Sequence, residues 1–112
     1  MKEINFDFNG QIYNILIGEN KYENVEIIDK ANLSDIWFHV KDESSCHVIL
    51  KNELKIREVP HQVIKRCAYL CKINSKAKKL KLCEISYTYI SNISKTNIIG
   101  QVIVTNHKKI HI

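Results

Sequence analysis

The stretch DIWFHVKDESSCHVILK, residues Asp35 to Lys51, decides the predicted fold. Two short runs of residues that favour β-strands, Ile36–Val40 and Cys46–Lys51, flank the polar segment Lys41–Ser45. Two such runs around a short polar loop are typical of a β-hairpin. The stretch therefore predicts a central hairpin that contains the only Trp of the chain and two of its five His residues.

A five-residue loop would place Trp37 opposite Ile49 and His39 opposite His47. Side chains alternate along a strand, and cross-strand neighbours lie about 5 Å apart, so these four side chains would share one face. The other face would be the apolar core side, with Phe38, Val40, Cys46, Val48 and Leu50. We therefore expect the Trp and the two His to be available to a ligand or to a covering helix.

Length and composition predict one domain that spans residues 1–112. A chain of 112 residues with 45% hydrophobic residues buries a modest core without disulfide bonds or metal. The N-terminus, MKEINFDF, alternates polar and apolar residues and is not an apolar secretory segment. We expect a soluble, cytoplasmic protein without membrane contact, in which the four Cys are buried, reduced thiols.

The net charge of +5 conceals a division of charge along the chain. Residues 1–50 contain four Lys and nine acids, whereas residues 51–112 contain thirteen Lys and Arg and three Glu. A basic half within one small domain indicates a polyanionic partner, and nucleic acid is the commonest. The alternative is that the Lys-rich surface serves solubility alone.

The N-terminal third predicts a hairpin followed by a short helix. The runs Ile4–Phe8 and Gln11–Ile17 alternate in polarity and are joined by Asn9-Gly10, a strong hairpin signal. After Gly18, apolar residues at helical spacing predict an amphipathic helix with Asn20 as its cap.

The principal helix is predicted from about Pro60 to Asn74. Its apolar face comprises Val63, Ile64, Cys67, Ala68, Leu70, Cys71 and Ile73. Its opposite stripe is cationic with one aromatic residue: Gln62, Lys65, Arg66, Tyr69, Lys72 and Lys76. Such a stripe is often just the solvated side of a helix, but together with the charge division it favours contacts with phosphates.

The remainder of the chain predicts strands and turns. The loop SKAKKLKL adds Lys76, Lys78, Lys79 and Lys81 to the basic surface, and Cys83–Ile90 predicts a strand with Tyr87 and Tyr89 on one face. Residues 91–99, which include Lys95, are turn-like, and two short strands at 100–104 and 108–112 would surround a turn at 106–107. The whole is an α+β fold with a mixed or mostly antiparallel sheet, two hairpins and one principal helix.

No spacing in the sequence is specific for catalysis or for a metal. Ser44, Ser45 or Cys46 could be imagined as a nucleophile beside the hairpin His residues, but nothing in their spacing supports it. Zinc requires four converging ligands, whereas Cys67 and Cys71 lie on the apolar face of their helix. We therefore expect a protein that is not an enzyme and has no cofactor or metal.

Several motifs resemble one known family. DIWFHV followed by SSCHV, a helix ending in NSK, then YTYISNISK and a final GQV are similar to the NFACT-R domain. That domain is the C-terminal part of the NEMF- and RqcH-type ribosome-quality-control factors and also occurs in small stand-alone eukaryotic proteins. The matching positions are Asp35, Trp37, Phe38, His39, Ser45, His47, Val48, Asn74, Ser75, Tyr87, Thr88, Lys95 and Gly100.

The resemblance implies a nucleic-acid-binding module for RNA, either tRNA or ribosomal RNA, with possible contact to the ribosome. From residue chemistry alone DNA is equally possible. We expect the site to comprise phosphate-binding cations, with aromatic and imidazole rings that stack on bases or donate hydrogen bonds: Lys65, Arg66, Lys72, Lys76, Lys78, Lys79, Lys95, Trp37, His39, His47 and Tyr87. The alternative is an adaptor that docks on an acidic protein, with Trp37 as a buried anchor. The oligomeric state is left open.

Overall fold

Eight strands and two α-helices form the fold in the computed structural model, which describes residues 1–43 and 45–112. The elements in chain order are β1 (Lys2–Phe8), β2 (Gln11–Gly18), α1 (Lys21–Lys30), β3 (Ile36–Val40), β4 (His47–Leu50), α2 (His61–Ile73), β5 (Glu84–Tyr89), β6 (Ile93–Lys95), β7 (Val102–Val104) and β8 (Lys108–His111). Six strands make one sheet in the order β1-β2-β4-β3-β5-β8, and β6 pairs with β7 separately. Every strand pair among the described residues is antiparallel, which confirms the α+β prediction.

The central hairpin has the predicted register. Trp37 pairs with Ile49 and Phe38 with Val48. Phe38 and Val48 are fully buried in the larger core cluster, whereas Trp37 and Ile49 belong to a second cluster. Because side chains alternate along the strands, the prediction of two different faces is confirmed.

Helix α2 covers one face of the sheet. Pro60 immediately precedes its first residue, and the predicted apolar residues from Val63 to Cys71 are buried against β2, β3, β4 and β5. Each large aliphatic side chain buried in this way stabilises the fold by about 1.5–3 kcal/mol. The prediction was wrong for Ile73, which is 38% exposed. Ile73 lies about two and a half helical turns beyond Ile64 and therefore projects from the opposite side of the helix.

Helix α1 and the β6–β7 pair cover the other face. Asn20 caps α1 as predicted, since its side chain accepts hydrogen bonds from the backbone N–H groups of Tyr22 and Glu23. Ile27 and Ile28 of α1 pack on Trp37, and Val102 and Val104 of β7 close the same cluster.

The C-terminal part of the chain corrects the sequence analysis in three places. Residues 93–95 form strand β6 within the segment that was predicted to be a turn, and Lys76–Lys79 form a 3-10 turn within the predicted loop. Strands β7 and β8 do not pair with each other, because β7 joins β6 over the second cluster while β8 extends the main sheet beside β5. Strands of three or four residues are too short for their partners to be read from alternation.

Candidate nucleic-acid interface

A cleft of about 800 Å³ opens where β3 ends and β4 begins. Four separate parts of the chain line it: residues 19–24 at the start of α1, the central hairpin, residues 74–78 after α2, and residues 99–104 leading into β7. Its volume is that of a typical small-ligand site. We refer to this site as the cleft.

Three rings form the floor of the cleft. The Trp37 ring lies parallel to the His39 ring with centroids 5.5 Å apart, and His47 meets His39 edge-on at 4.9 Å. Trp37 Nε1 donates a hydrogen bond to His47 Nδ1 over 3.2 Å. Trp37 and His47 are each only 2% exposed, whereas His39 is partly open to the cleft.

This arrangement changes the predicted role of Trp37 and His47. Burial leaves neither ring a free face on which a base could stack, so the prediction of direct stacking does not fit their positions. They instead hold the ring of His39, the one member of the trio that reaches the open space.

Both imidazoles are neutral near pH 7. Burial, together with the nearby His39, lowers the pKa of His47 to about 3. Burial also lowers the pKa of His39, which a hydrogen bond with the Val40 backbone partly offsets. A neutral His39 presents an uncharged aromatic surface to the cleft.

Asn24 is a cleft residue that sequence reasoning missed. Its Oδ1 accepts the His47 backbone N–H at 3.0 Å, which ties α1 to the first residue of β4. A Cβ on Gly18 would lie 2.3 Å from that oxygen, so only glycine permits this approach. The available signal was that Asn24 precedes Ile27 and Ile28 by three and four residues and thus falls on the buried face of α1.

The rim of the cleft carries Lys76 and Lys78 on the 3-10 turn and the acids Glu19 and Glu43. The Ser75 side chain caps that turn by accepting the Ala77 N–H, and Asn74 ends α2 by donating its amide to the Leu70 carbonyl. These contacts fix the direction in which the turn leaves the helix. The structure therefore brings together five predicted site residues: Trp37, His39, His47, Lys76 and Lys78.

Gly100 closes the cleft on the side of α1. It has a φ of +85°, and an added Cβ would lie 2.8 Å from the Cβ of Lys21. The segment before β7 therefore approaches α1 as closely as it does only because residue 100 is glycine.

Four predicted cations lie outside the cleft, on α2, which covers the opposite face of the sheet from Trp37, and on the 3-10 turn that follows it. Lys65, Arg66 and Lys79 are exposed, and the Lys72 amino group donates to the Ile112 carbonyl at 2.9 Å. The Arg66 guanidinium lies over the rings of Phe6 and Tyr69, at 5.6 and 5.8 Å from their centroids.

Two predicted residues are elsewhere. Tyr87 is partly buried on the α2 side of the sheet, where it stacks on Phe38 with centroids 5.5 Å apart, and burial raises its pKa. Lys95 forms an ion pair with Asp29 of α1. Neither lines the cleft.

Asp35, another residue of the family pattern, lies at the opposite end of the central hairpin. It is 1% exposed and accepts hydrogen bonds from the Asn32 and Asn52 backbones and from the Lys51 amino group. Its place is structural, because it ties the connection between α1 and β3 to the residues that follow β4.

The thiol of Cys46, which was considered as a nucleophile, is buried beside the thiol of Cys71. The Sγ atoms of Cys46 and Cys71 each lie 3.5–3.6 Å from the carbonyl oxygen of the other residue. A hydrogen bond from the Cys71 thiol lowers the pKa of Cys46, and the same contact raises the pKa of Cys71. Of the two serines named with Cys46, Ser45 accepts the Val40 N–H and donates to the Cys46 carbonyl, and Ser44 lies outside the described residues.

Within residues 1–43 and 45–112, no three or more His, Cys, Asp or Glu side chains are placed to hold a metal ion. In the same part of the chain, neither helix has the length and apolar character needed to cross a membrane.

The fold and the cleft define a small antiparallel α+β domain with a histidine-lined cleft beside a basic helix. Residues 3–109 match the family described as "NFACT protein RNA binding domain", and the chain belongs to this family. The resemblance predicted from DIWFHV and its companion motifs is thus confirmed.

Relatives and a solved structure agree with this assignment. The chain is 41% identical over 91 residues to the mouse coiled-coil domain-containing protein 25, covering 79% of this chain and 44% of the mouse protein. It is 32% identical over 84 residues to the Rqc2 homolog RqcH of Bacillus subtilis, covering 74% of this chain and 14% of that protein. The structure of the C-terminal part of a fibronectin/fibrinogen-binding protein from Streptococcus suis superimposes with a TM-score of 0.86 at 26% identity, over 98% of this chain and 44% of that one. The chain thus spans less than half the length of these proteins.

Proposed function

We propose that this domain binds RNA, either tRNA or ribosomal RNA, through a surface formed by the exposed side of α2 and the 3-10 turn that follows it. We call this the basic surface; it comprises Lys65, Arg66, Lys72, Lys76, Lys78 and Lys79. Its role in the domain is binding rather than catalysis.

The observation that supports this proposal is a cluster of positive charges that has no acidic side chains within it. Residues 61–79 contain six cations and no acid. No ion pair joins any of these cations to a carboxylate within the part of the chain that the structure describes. Cations that are not neutralised by acidic side chains, on one helix and its continuation, are suited to the phosphates of a nucleic acid.

Three acids lie on the other side of the sheet, and each of them is in an ion pair. Glu23, Glu26 and Asp29 belong to α1, which packs on the opposite face of the sheet from α2. Because these acids are in ion pairs, the unbalanced charge of the two helices lies on the α2 side, which attracts a polyanion.

Relatives support the choice of RNA over DNA. The family description names RNA, and the Rqc2 homolog RqcH of Bacillus subtilis is among the similar proteins. From these we propose a place near the ribosome and in the cytoplasm for the protein that contains this domain.

The test is fluorescence anisotropy with labelled tRNA, a ribosomal RNA fragment and DNA of matched sequence, at several salt concentrations. Affinity should fall with salt by about 0.7 log units per log unit for each phosphate neutralised on a single strand. The variant Lys76→Gln/Lys78→Gln should reduce that slope by about 0.7 for each phosphate that the variant no longer neutralises.

The matched control is Lys55→Gln/Arg57→Gln, which removes the same charge from exposed positions beyond the other end of β4. It should leave the slope nearly unchanged. Equal losses of affinity in the two variants would show that RNA binding depends on the net charge of the domain and not on the basic surface. Absence of RNA binding at low salt would contradict the proposal and favour an acidic protein as the partner of the basic surface.

A further inference from the structure

We infer that the cleft receives one unpaired nucleotide, whose base stacks on His39 while its phosphate lies at Lys76 and Lys78. This inference rests on the proposed RNA binding and adds to it a preference for nucleotides outside a duplex.

The first argument is the geometry of His39. Trp37 supports one face of the ring in a parallel arrangement, and His47 fixes its edge at 87°. The ring is therefore held in one orientation, and its open part faces a cleft of about 800 Å³. A rigid, neutral ring presented in this way is a stacking platform for a base.

The second argument is the order of polarity within the cleft. The rings lie at its floor, and the exposed residues Lys76 and Lys78 lie at its rim. A nucleotide has the same division, with a flat apolar base at one end and an anion at the other. The two acids on the rim, Glu19 and Glu43, disfavour a second phosphate nearby and so favour a single nucleotide over a continuous backbone.

The third argument is the unused hydrogen-bonding capacity beside His39. Asn24 uses its Oδ1 for the His47 N–H, and its amide nitrogen donates to no group in the described parts of the chain. The side chain of Gln101, which also lines the cleft, accepts one weak contact from the Thr96 hydroxyl at 3.4 Å. Amide groups of this kind can read the edge of a base that has left a duplex.

Base pairing excludes this mode of binding. A base inside a duplex is covered on both faces and cannot enter a cleft lined by four segments of protein. Loops, bulges and strand ends supply bases that are free to enter.

The experiment compares two labelled RNA hairpins of equal length and charge, one blunt and one with an unpaired 3′ tail, against the unmodified domain and three variants. The unmodified domain should bind the tailed RNA more tightly. The variant His39→Ala should lose about ten-fold in affinity for the tailed RNA and little for the blunt one, which is the range expected when one stacked base is removed.

The matched control is His61→Ala, which removes an exposed imidazole at the start of α2, away from the cleft. It should leave both affinities within about two-fold, since exposed substitutions away from a site have small effects. Because His39→Ala leaves a gap beside Trp37, His39→Phe serves as the second variant. Phe keeps the platform and should retain most of the preference for the tail.

A direct readout is available from the sole tryptophan. Titration with adenosine monophosphate should change Trp37 fluorescence, and ribose 5-phosphate should bind more weakly because it has no base. If His39→Ala and His39→Phe both keep the full preference for the tailed RNA over the blunt RNA, the inference is overturned, although the proposed RNA binding stands. If the unmodified domain binds neither hairpin, the proposed function fails as well.

Discussion

At the scale of single residues, His47 links the cleft to the stability of the domain. Its Nδ1 accepts the Trp37 N–H, and this hydrogen bond persists only while Nδ1 carries no proton. Its pKa is about 3 in the folded domain, against 6.5 in an unfolded chain. Below pH 6.5 the unfolded chain therefore binds a proton that the folded chain does not. The resulting stability is complete above about pH 6.5 and declines as the pH falls toward 3.

We predict that His47→Asn reduces the acid sensitivity of the domain. Asn places an acceptor near the position of Nδ1 but does not titrate, so the proton uptake of the unfolded chain is removed. The free energy of unfolding, measured by urea denaturation between pH 7 and pH 4, should fall less for the variant, with a difference of at most about 1.4 kcal/mol per pH unit. Parallel pH profiles for the two proteins would contradict the prediction. The carboxylates are common to both and cancel in the comparison.

At the scale of elements, the seating of α1 on the sheet depends on one contact between Gly18, Asn24 and His47. Gly18→Ala would force its Cβ into Asn24 and should cost about 1–3 kcal/mol. Asn24→Ala would leave the His47 N–H without its acceptor and should cost a similar amount, about 1–3 kcal/mol. The double variant should cost less than the sum, because the new Cβ no longer meets the amide. Urea denaturation of the four proteins measures the coupling, and simple additivity would argue against it.

The elements also show what sequence reasoning could reach. Both hairpins, the Asn20 cap and the buried face of α2 follow from alternation, turn residues and helical spacing, which are local signals. The pairing of β7 with β6 instead of β8 is not local, since it depends on covering Trp37 from a distant part of the chain. For the same reason the sequence left open whether a ligand or a covering helix would meet Trp37, and the structure places α1 there. An alternating strand shows which residues share a face but not what covers that face.

At the scale of the whole molecule, the predicted division of charge becomes a division in space. Helix α1, with three acids and two lysines, and the basic helix α2 lie on opposite faces of one sheet, because the chain places α1 on the side of Trp37 and α2 on the side of Phe38. The cleft lies at the end of the sheet between them. Composition predicted the two halves, but only the topology shows that one ring of the acidic half, His39, and two lysines of the basic half meet at one site.

The cleft is assembled from four segments spread between residues 19 and 104, and this has a consequence for heat stability. Partial unfolding of α1, of the central hairpin or of the β6–β7 pair would dismantle the binding site, so a ligand of the cleft binds only the complete fold. RNA at about a hundred times its dissociation constant should therefore add about 2.7 kcal/mol to the free energy of unfolding. A differential scanning calorimetry trace should move to a higher melting temperature with tailed RNA and to a smaller extent with the blunt hairpin. In this domain the melting temperature is itself a measure of which RNA the cleft accepts.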